Sequence, residues 1–228
     1  MKGGSHRVVT RENWVAELPG PAREAILGRM TVLDVPAGGI IARAGDPASR
    51  VFQVVEGYVR LDGLREDGRQ ALITIYLPGN CYAETAMVAR RAYHHTSTAL
   101  TPARIRCLGE ADFWDLYSRI PEIPDALCRK FAAAITRQIA SREMRATQRL
   151  GKRIASMFEN LATECGEPDV RGELSLAFPL TQSDIADLFD VTRQSVHREI
   201  TSLRSAGLID KRNGVWVIRN LGELRRVA

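Results

Sequence analysis

Apolar and polar positions change period twice along this chain. From Thr31 to about Leu108, apolar residues come in short runs separated by turn residues. The runs are Thr31–Val35, Gly39–Ala42, Val51–Glu56, Tyr58–Leu64, Gln70–Leu77 and Thr96–Leu108. Gly38-Gly39, Gly45-Asp46-Pro47, Glu56-Gly57, Asp67-Gly68 and Pro78-Gly79-Asn80 punctuate them. Short strands at even spacing with glycine-rich turns predict a sandwich or jelly roll. Upstream, Trp14 to Met30 predicts one or two short helices interrupted at Pro19-Gly20-Pro21, and residues 1–12 read as poorly ordered.

The period becomes helical from Ala111 to about Leu150, with Pro121 and Pro124 separating a first helix from a long second one. Leu127, Phe131, Ile135 and Ile139 fall near one face of the long helix, and Ala132, Ala133 and Ala134 allow close approach. Its outer side is basic, with Arg129, Lys130, Arg137, Arg142, Arg145 and Arg149. An apolar stripe on a charged helix needs a partner, and self-pairing across a two-fold axis is the commonest solution. Arg153–Glu164 predicts a further amphipathic helix with Ile154, Met157, Phe158 and Leu161 inward. A loop around Gly166–Gly172 then leads to Leu174–Phe178.

Thr181 to Gly207 predicts two short helices joined by a tight turn. Thr181 and Asp184 form a capping box with Asp in place of Glu or Gln. Ile185, Leu188 and Phe189 bury one face of the first helix, and Asp190-Val191 makes the turn. Thr192 caps the second helix, whose inner face is Val196, Ile200 and Leu203, and Gly207 ends it. Beyond it, Leu208–Lys211 and Val215–Arg219 flank Arg212-Asn213-Gly214, and Asn-Gly between apolar runs signals a hairpin. The sum is a winged helix-turn-helix. The outer face of the second helix carries Arg193, Gln194, His197 and Arg198 beside Thr192 and Ser195. Arg can bond guanine O6 and N7 with two prongs, Gln can bond adenine N6 and N7, and hydroxyls suit phosphate oxygens.

Composition narrows the reading. The chain has 228 residues, enough for two domains, and a net charge of +5 that suits a polyanionic partner. No apolar run reaches a membrane span, and MKGGSHRVVTREN is not a secretory leader. Cys81, Cys107, Cys128 and Cys165 show no paired spacing, which points to a reducing, cytoplasmic compartment and mostly buried thiols. With four histidines, His6, His94, His95 and His197, there is little to build a metal-dependent roll enzyme, so no enzymatic activity is expected.

From about Leu33 onward the chain resembles the cyclic-AMP receptor protein/FNR family of bacterial transcription regulators. Gly45-Asp46 and Phe52 to Arg60 resemble the family's roll signature. Leu180 to Ala186, Thr192 to Arg198 and Ser205 to Ile209 resemble its helix-turn-helix. The fold this implies is α+β: a cyclic-nucleotide-binding-like β-roll (jelly roll) over 1–120, a long dimerisation helix over 121–150, and a winged helix-turn-helix over 151–228. The resemblance also implies that Arg193, Gln194 and Arg198 face bases, and that Thr181, Ser183, Thr192, Ser195 and Arg212 reach phosphates, with His197 beside them. It implies RNA polymerase as a partner of the DNA-bound homodimer.

The effector position departs from the family pattern. Cyclic-AMP binders carry Gly-Glu, then Arg-Ser about ten residues on. Here Glu84 is kept and could accept from a ribose hydroxyl, the Gly is Ala83, and Tyr93 or His94 falls where the phosphate Arg belongs. A buried cyclic phosphate without Arg lacks its charge-assisted partner, so cyclic AMP is disfavoured; Arg90 or Arg91 could serve only in a rebuilt loop. Ala-Glu-x-x-Met is similar to the branch that responds to nitric oxide or redox state, some members of which bind haem. The effector-site candidates are Glu84, Thr85, Met87, Tyr93, His94, His95 and Gln138 on the long helix. His94-His95 also admit an iron or metal ligand, although neighbours on a strand point to opposite faces. Cys81 reads as a small buried residue. The expectation is a homodimeric, sequence-specific regulator switched by a small effector in the roll. The alternative is a ligand-binding regulatory module acting on a protein partner.

Overall fold

The computed structural model describes residues 9–10, 12–65 and 68–228, so the readings for most of the N-terminal segment and for Asp67 lie outside the described residues, as does the side chain of Arg145. The chain divides into two compact units, one of Thr10–Gln70 with Ile75–Thr136, the other built mainly of Arg137–Ala228.

In chain order come β1 (Val9–Thr10) and α1 (Gly20–Leu27), then strands β2 (Thr31–Val35), β3 (Ile40–Ala42), β4 (Arg50–Glu56), β5 (Val59–Leu64), β6 (Gln70–Tyr76) and β7 (Cys81–Tyr82). The short helix α2 (Glu84–Val88) follows, then β8 (Thr96–Ala99), β9 (Ala103–Gly109), α3 (Glu110–Arg119) and the long α4 (Glu122–Thr147). The strands make two sheets, ordered β2-β9-β4-β7 and β1-β6-β5-β8-β3. The predicted run Thr96–Leu108 is two strands, because Thr101 and Pro102 turn the chain between them and a proline cannot donate to a ladder. Pro124 lies in the first turn of α4, where its missing N–H has no partner to lose.

Alternation along β4 splits the core in two. Val51 points to a cluster with Trp14, Ile26, Met87, Phe113, Leu116, Ile123 and Leu127. Phe52 and Val54 point into the roll, among Tyr82, Tyr93, Ile105 and Cys107. Gly57 turns β4 into β5 at φ +78°, and a Cβ there would stand 2.3 Å from the Pro102 carbonyl oxygen. Left-handed strain and the backbone clash act together. Gly57→Ala should therefore cost about 2–4 kcal/mol, read as a fall in chemical-denaturation midpoint at unchanged slope.

The predicted stripe of α4 needs correction. Leu127 is buried and Phe131 packs on the same core as Trp14 and Phe113, whereas Ile135 and Ile139 are 62% and 55% exposed. The unpartnered face is instead Cys128, Ala132, Ile135 and Ile139, all exposed and spaced by four, three and four residues. That is the spacing of a heptad seam.

The second unit contains α5 (Leu150–Cys165), β10 (Gly166–Pro168), β11 (Leu174–Leu176), α6 (Gln182–Phe189), α7 (Arg193–Ser205), β12 (Ile209–Arg212), β13 (Val215–Ile218) and α8 (Leu221–Val227). Its four-stranded sheet has the order β10-β11-β13-β12. The predicted loop around Gly166–Gly172 is therefore a hairpin, whose turn is tied by Asp169 Oδ1 accepting from the Arg171 and Glu173 amides at 2.8 and 3.0 Å. Ile154, Met157, Phe158 and Leu161 are fully buried, and Trp216 meets Phe158 edge-on at 5.3 Å while its indole N–H donates to the Leu180 carbonyl at 2.7 Å.

Candidate nucleic-acid interface and effector position

Local chemistry places the α6–α7 pair. Thr181 Oγ1 accepts from the Asp184 amide at 3.1 Å, and Asp184 Oδ2 accepts from the Thr181 amide at 2.8 Å, closing the predicted box. Asp190 turns the chain in the left-handed region at φ 53°, which Asp tolerates better than most residues. Thr192 caps α7 by accepting from the Ser195 amide at 3.1 Å. With Val196, Ile200 and Leu203 buried, helical geometry sends Arg193, Gln194, His197 and Arg198 outward, and all four are exposed. The Arg198 side chain is 76% exposed, with Glu199 3.5 Å from it. His197 Nδ1 lies 3.3 Å from Gln182 Oε1, which couples the first turn of α6 to the middle of α7. Ser183 is exposed, while Ser195 is half-buried with its hydroxyl 3.0 Å from that of Thr192.

Arg212, expected at a phosphate, has acidic neighbours within the second unit. Its guanidinium sits 2.5 Å from Glu173 and within 4.0 Å of Asp169 and Asp210. Glu173 also takes Arg219 at 3.2 Å, and the Arg212 hydrogen bond is the first of the influences that hold the Glu173 carboxyl below its ordinary range. Arg212 thus staples the wing to the β10–β11 hairpin. The wing turn itself has Asn213 at φ 50° and Gly214 at φ 84°, the signature of a two-residue type I′ hairpin.

The predicted effector residues sit in different surroundings. Glu84 is 2% exposed and both its oxygens are engaged: the Trp14 indole N–H donates to Oε1 at 2.6 Å, and Lys130 Nζ lies 2.8 Å from Oε2. Lys130 also donates to the Cys81 carbonyl at 2.6 Å. Met87 packs in the helical core, Thr85 and Gln138 are exposed, and Tyr93 is buried with its hydroxyl donating to the Arg50 carbonyl at 2.8 Å and accepting from the Arg50 amide at 2.9 Å. Inside the roll Tyr82 stacks on Tyr76 at 4.7 Å and on Phe52 at 5.1 Å. Arg90 is stacked 4.6 Å over Trp114. His94 is exposed, and His95, half-buried, is held below its ordinary pKa by burial and then by the His94 charge. Among the described residues no cluster of three or more His, Cys, Asp or Glu could hold a metal ion. Burial first, then the Glu84 charge, pushes the Cys81 thiol up to about 12, so it is not a thiolate. Cys107 is buried too, but Cys128 is exposed and Cys165 half-buried, so only two of the four thiols are shut away.

Trp14 and Lys130 were not among the predicted site residues. Lys130, expected on the outer basic side of the long helix, is instead 10% exposed beside Leu127 and Phe131, where a charge is costly unless paired.

The fold and its exposed helix define a winged helix-turn-helix protein with an N-terminal roll of the nucleotide-binding type. Residues 32–119 match the cyclic nucleotide-binding domain and residues 152–227 the Crp-like helix-turn-helix domain. The transcriptional regulator LdrP of Thermus thermophilus is 30% identical over 166 residues, 72% of this chain and 80% of that one. A CRP-like cAMP-activated global transcriptional regulator of Mycobacterium tuberculosis is 24% identical over 185 residues, 81% of this chain and 82% of its own. A solved CRP/FNR-family regulator from Thermus thermophilus shares the fold at a TM-score of 0.71 and 24% identity, covering 87% of this chain and 98% of that one. The chain belongs to the CRP/FNR family of DNA-binding transcription regulators. Among the described residues no helix is long and apolar enough to cross a membrane.

Proposed function

We propose that the protein binds a two-fold symmetric operator as a homodimer paired through α4, each α7 entering a major groove, and that cyclic AMP is not its effector. The observation that carries the DNA reading is the outer face of α7. Arg193, Gln194, His197 and Arg198 stand exposed together on a helix whose opposite face is locked in the core. Exposed two-pronged donors at the start of such a helix suit base edges. The exposed seam Cys128, Ala132, Ile135 and Ile139 supports self-pairing. A dimer of this kind would set two recognition helices about one helical turn of DNA apart. RNA polymerase is the partner such a bound dimer would recruit, on the family's pattern. Against cyclic AMP stand the engaged Glu84 and the stacking of Arg90 on Trp114.

Gln194 supplies the test. Gln offers both a donor and an acceptor and suits adenine, whereas Glu accepts from cytosine N4. Duplexes selected from a randomised pool should carry A·T opposite Gln194 for the parent and G·C for Gln194→Glu. The same base enriched by both removes Gln194 from the readout.

A further inference from the structure

We propose that Trp14, Glu84 and Lys130 form an internal latch that holds the roll on α4 and takes the place of a small-molecule effector. The inference rests on the reading above, that α4 pairs two chains on an operator. The three residues come from distant parts of the chain: the segment before α1, the first turn of α2, and the N-terminal half of α4. All meet inside the first compact unit. The Glu84 and Lys130 side chains are 3% and 10% exposed, so this is a buried ion pair. Such a pair persists only with good geometry and further hydrogen bonds. Here both are present: the Trp14 indole N–H takes the second carboxylate oxygen, and the Cys81 carbonyl takes a second ammonium proton.

The surroundings extend the latch. Asn13, next to Trp14, accepts from Gln53 Nε2 at 3.2 Å, and the Cys81 amide donates to the Glu12 carbonyl at 2.8 Å. Asn80 Oδ1 accepts from the Glu12 amide at 2.7 Å. The residue before Glu84, Ala83, is held at φ 75°, a conformation that disfavours any side chain. That strain persists because the contacts around Glu84 over-determine it.

A ligand can shift a helix only through contacts that differ between two arrangements. In this chain the contact between the α2 turn and α4 is already made by protein groups. Any ligand that used Glu84 would have to break a buried ion pair and a buried indole hydrogen bond. The Tyr76–Tyr82–Phe52 stack lines the roll. The latch therefore holds α4 in its operator-binding position without a small molecule.

The experiment titrates a selected operator duplex into the full-length protein after mass spectrometry has shown it free of bound small molecules. It compares the parent with Glu84→Gln, Lys130→Met, the double variant and Trp14→Phe. The parent should bind without additive, and cyclic AMP or cyclic GMP should change its affinity less than about twofold. Each charge variant should weaken binding about tenfold or more, and the double variant should be no worse than the weaker single, since one latch is broken only once. Melting and light scattering identify folded dimers. Where a charge variant does not fold, Trp14→Phe carries the test, because it keeps the ring and removes one donor; a weakening of about threefold or more is expected. A parent that needs an additive, variants that bind like the parent, or losses that add in the double variant would each overturn the latch. If no duplex is bound by the parent or any variant under any condition, the operator reading fails and the latch falls with it. That result is distinct from a failed latch, in which a duplex is bound.

Discussion

Replacing Ile135 with Glu is expected to turn the dimer into a monomer and to remove operator binding with it. Ile135 is 62% exposed on a helix whose other face is committed to its own core, so the substitution leaves the fold of the chain intact. In a two-fold seam the same carboxylate is buried twice, close to its own copy. Burying an unpaired charge at an interface costs about 3 kcal/mol or more, which is at least a hundredfold in dissociation constant. Ile139→Glu should act in the same direction. Phe131→Glu is a different experiment, because Phe131 packs on the core of its own roll and its loss would destabilise the fold. Light scattering and melting separate the two: Ile135→Glu should lower the mass and spare the melting temperature. An unchanged dimer mass would move the interface off α4.

The second large effect is expected from the recognition helix. Arg193→Ala and Arg198→Ala should each weaken the specific site by about 1–3 kcal/mol and relax base preference at one position. Non-specific binding should fall much less. The side chains are exposed and outside the core, so melting temperature should stay within a degree or two of the parent. Equal losses on specific and random duplexes would make both residues phosphate contacts, and the readout would pass to Gln194 and His197.

Local signals made most of the fold legible. The capping box at Thr181 and Asp184, the cap at Thr192 and the Asn213-Gly214 turn are short-range chemistry, and each forms as the sequence implies. The face of α7 is legible for the same reason: three buried residues at helical spacing determine where Arg193, Gln194 and Arg198 go. What stayed hidden depends on partners far along the chain. Glu84 reads as a ligand acceptor until Trp14, 70 residues away, and Lys130 are found on its two oxygens. Arg212 reads as a phosphate contact until Glu173, 39 residues away, is found against it. On α4 the apolar residues serve two faces roughly 130° apart at 3.6 residues per turn, one against the roll and one exposed. A single stripe drawn through Leu127, Phe131, Ile135 and Ile139 merges them.

The central claim is that two copies of this chain, paired through α4, read two half-sites of one duplex. Sedimentation of the protein with a selected operator, and with a duplex carrying only one of its half-sites, tests it most directly. The account predicts two chains on the full operator and a loss of about a hundredfold or more in affinity on the single half-site. One chain on the full operator, or equal affinity for both duplexes, would contradict it.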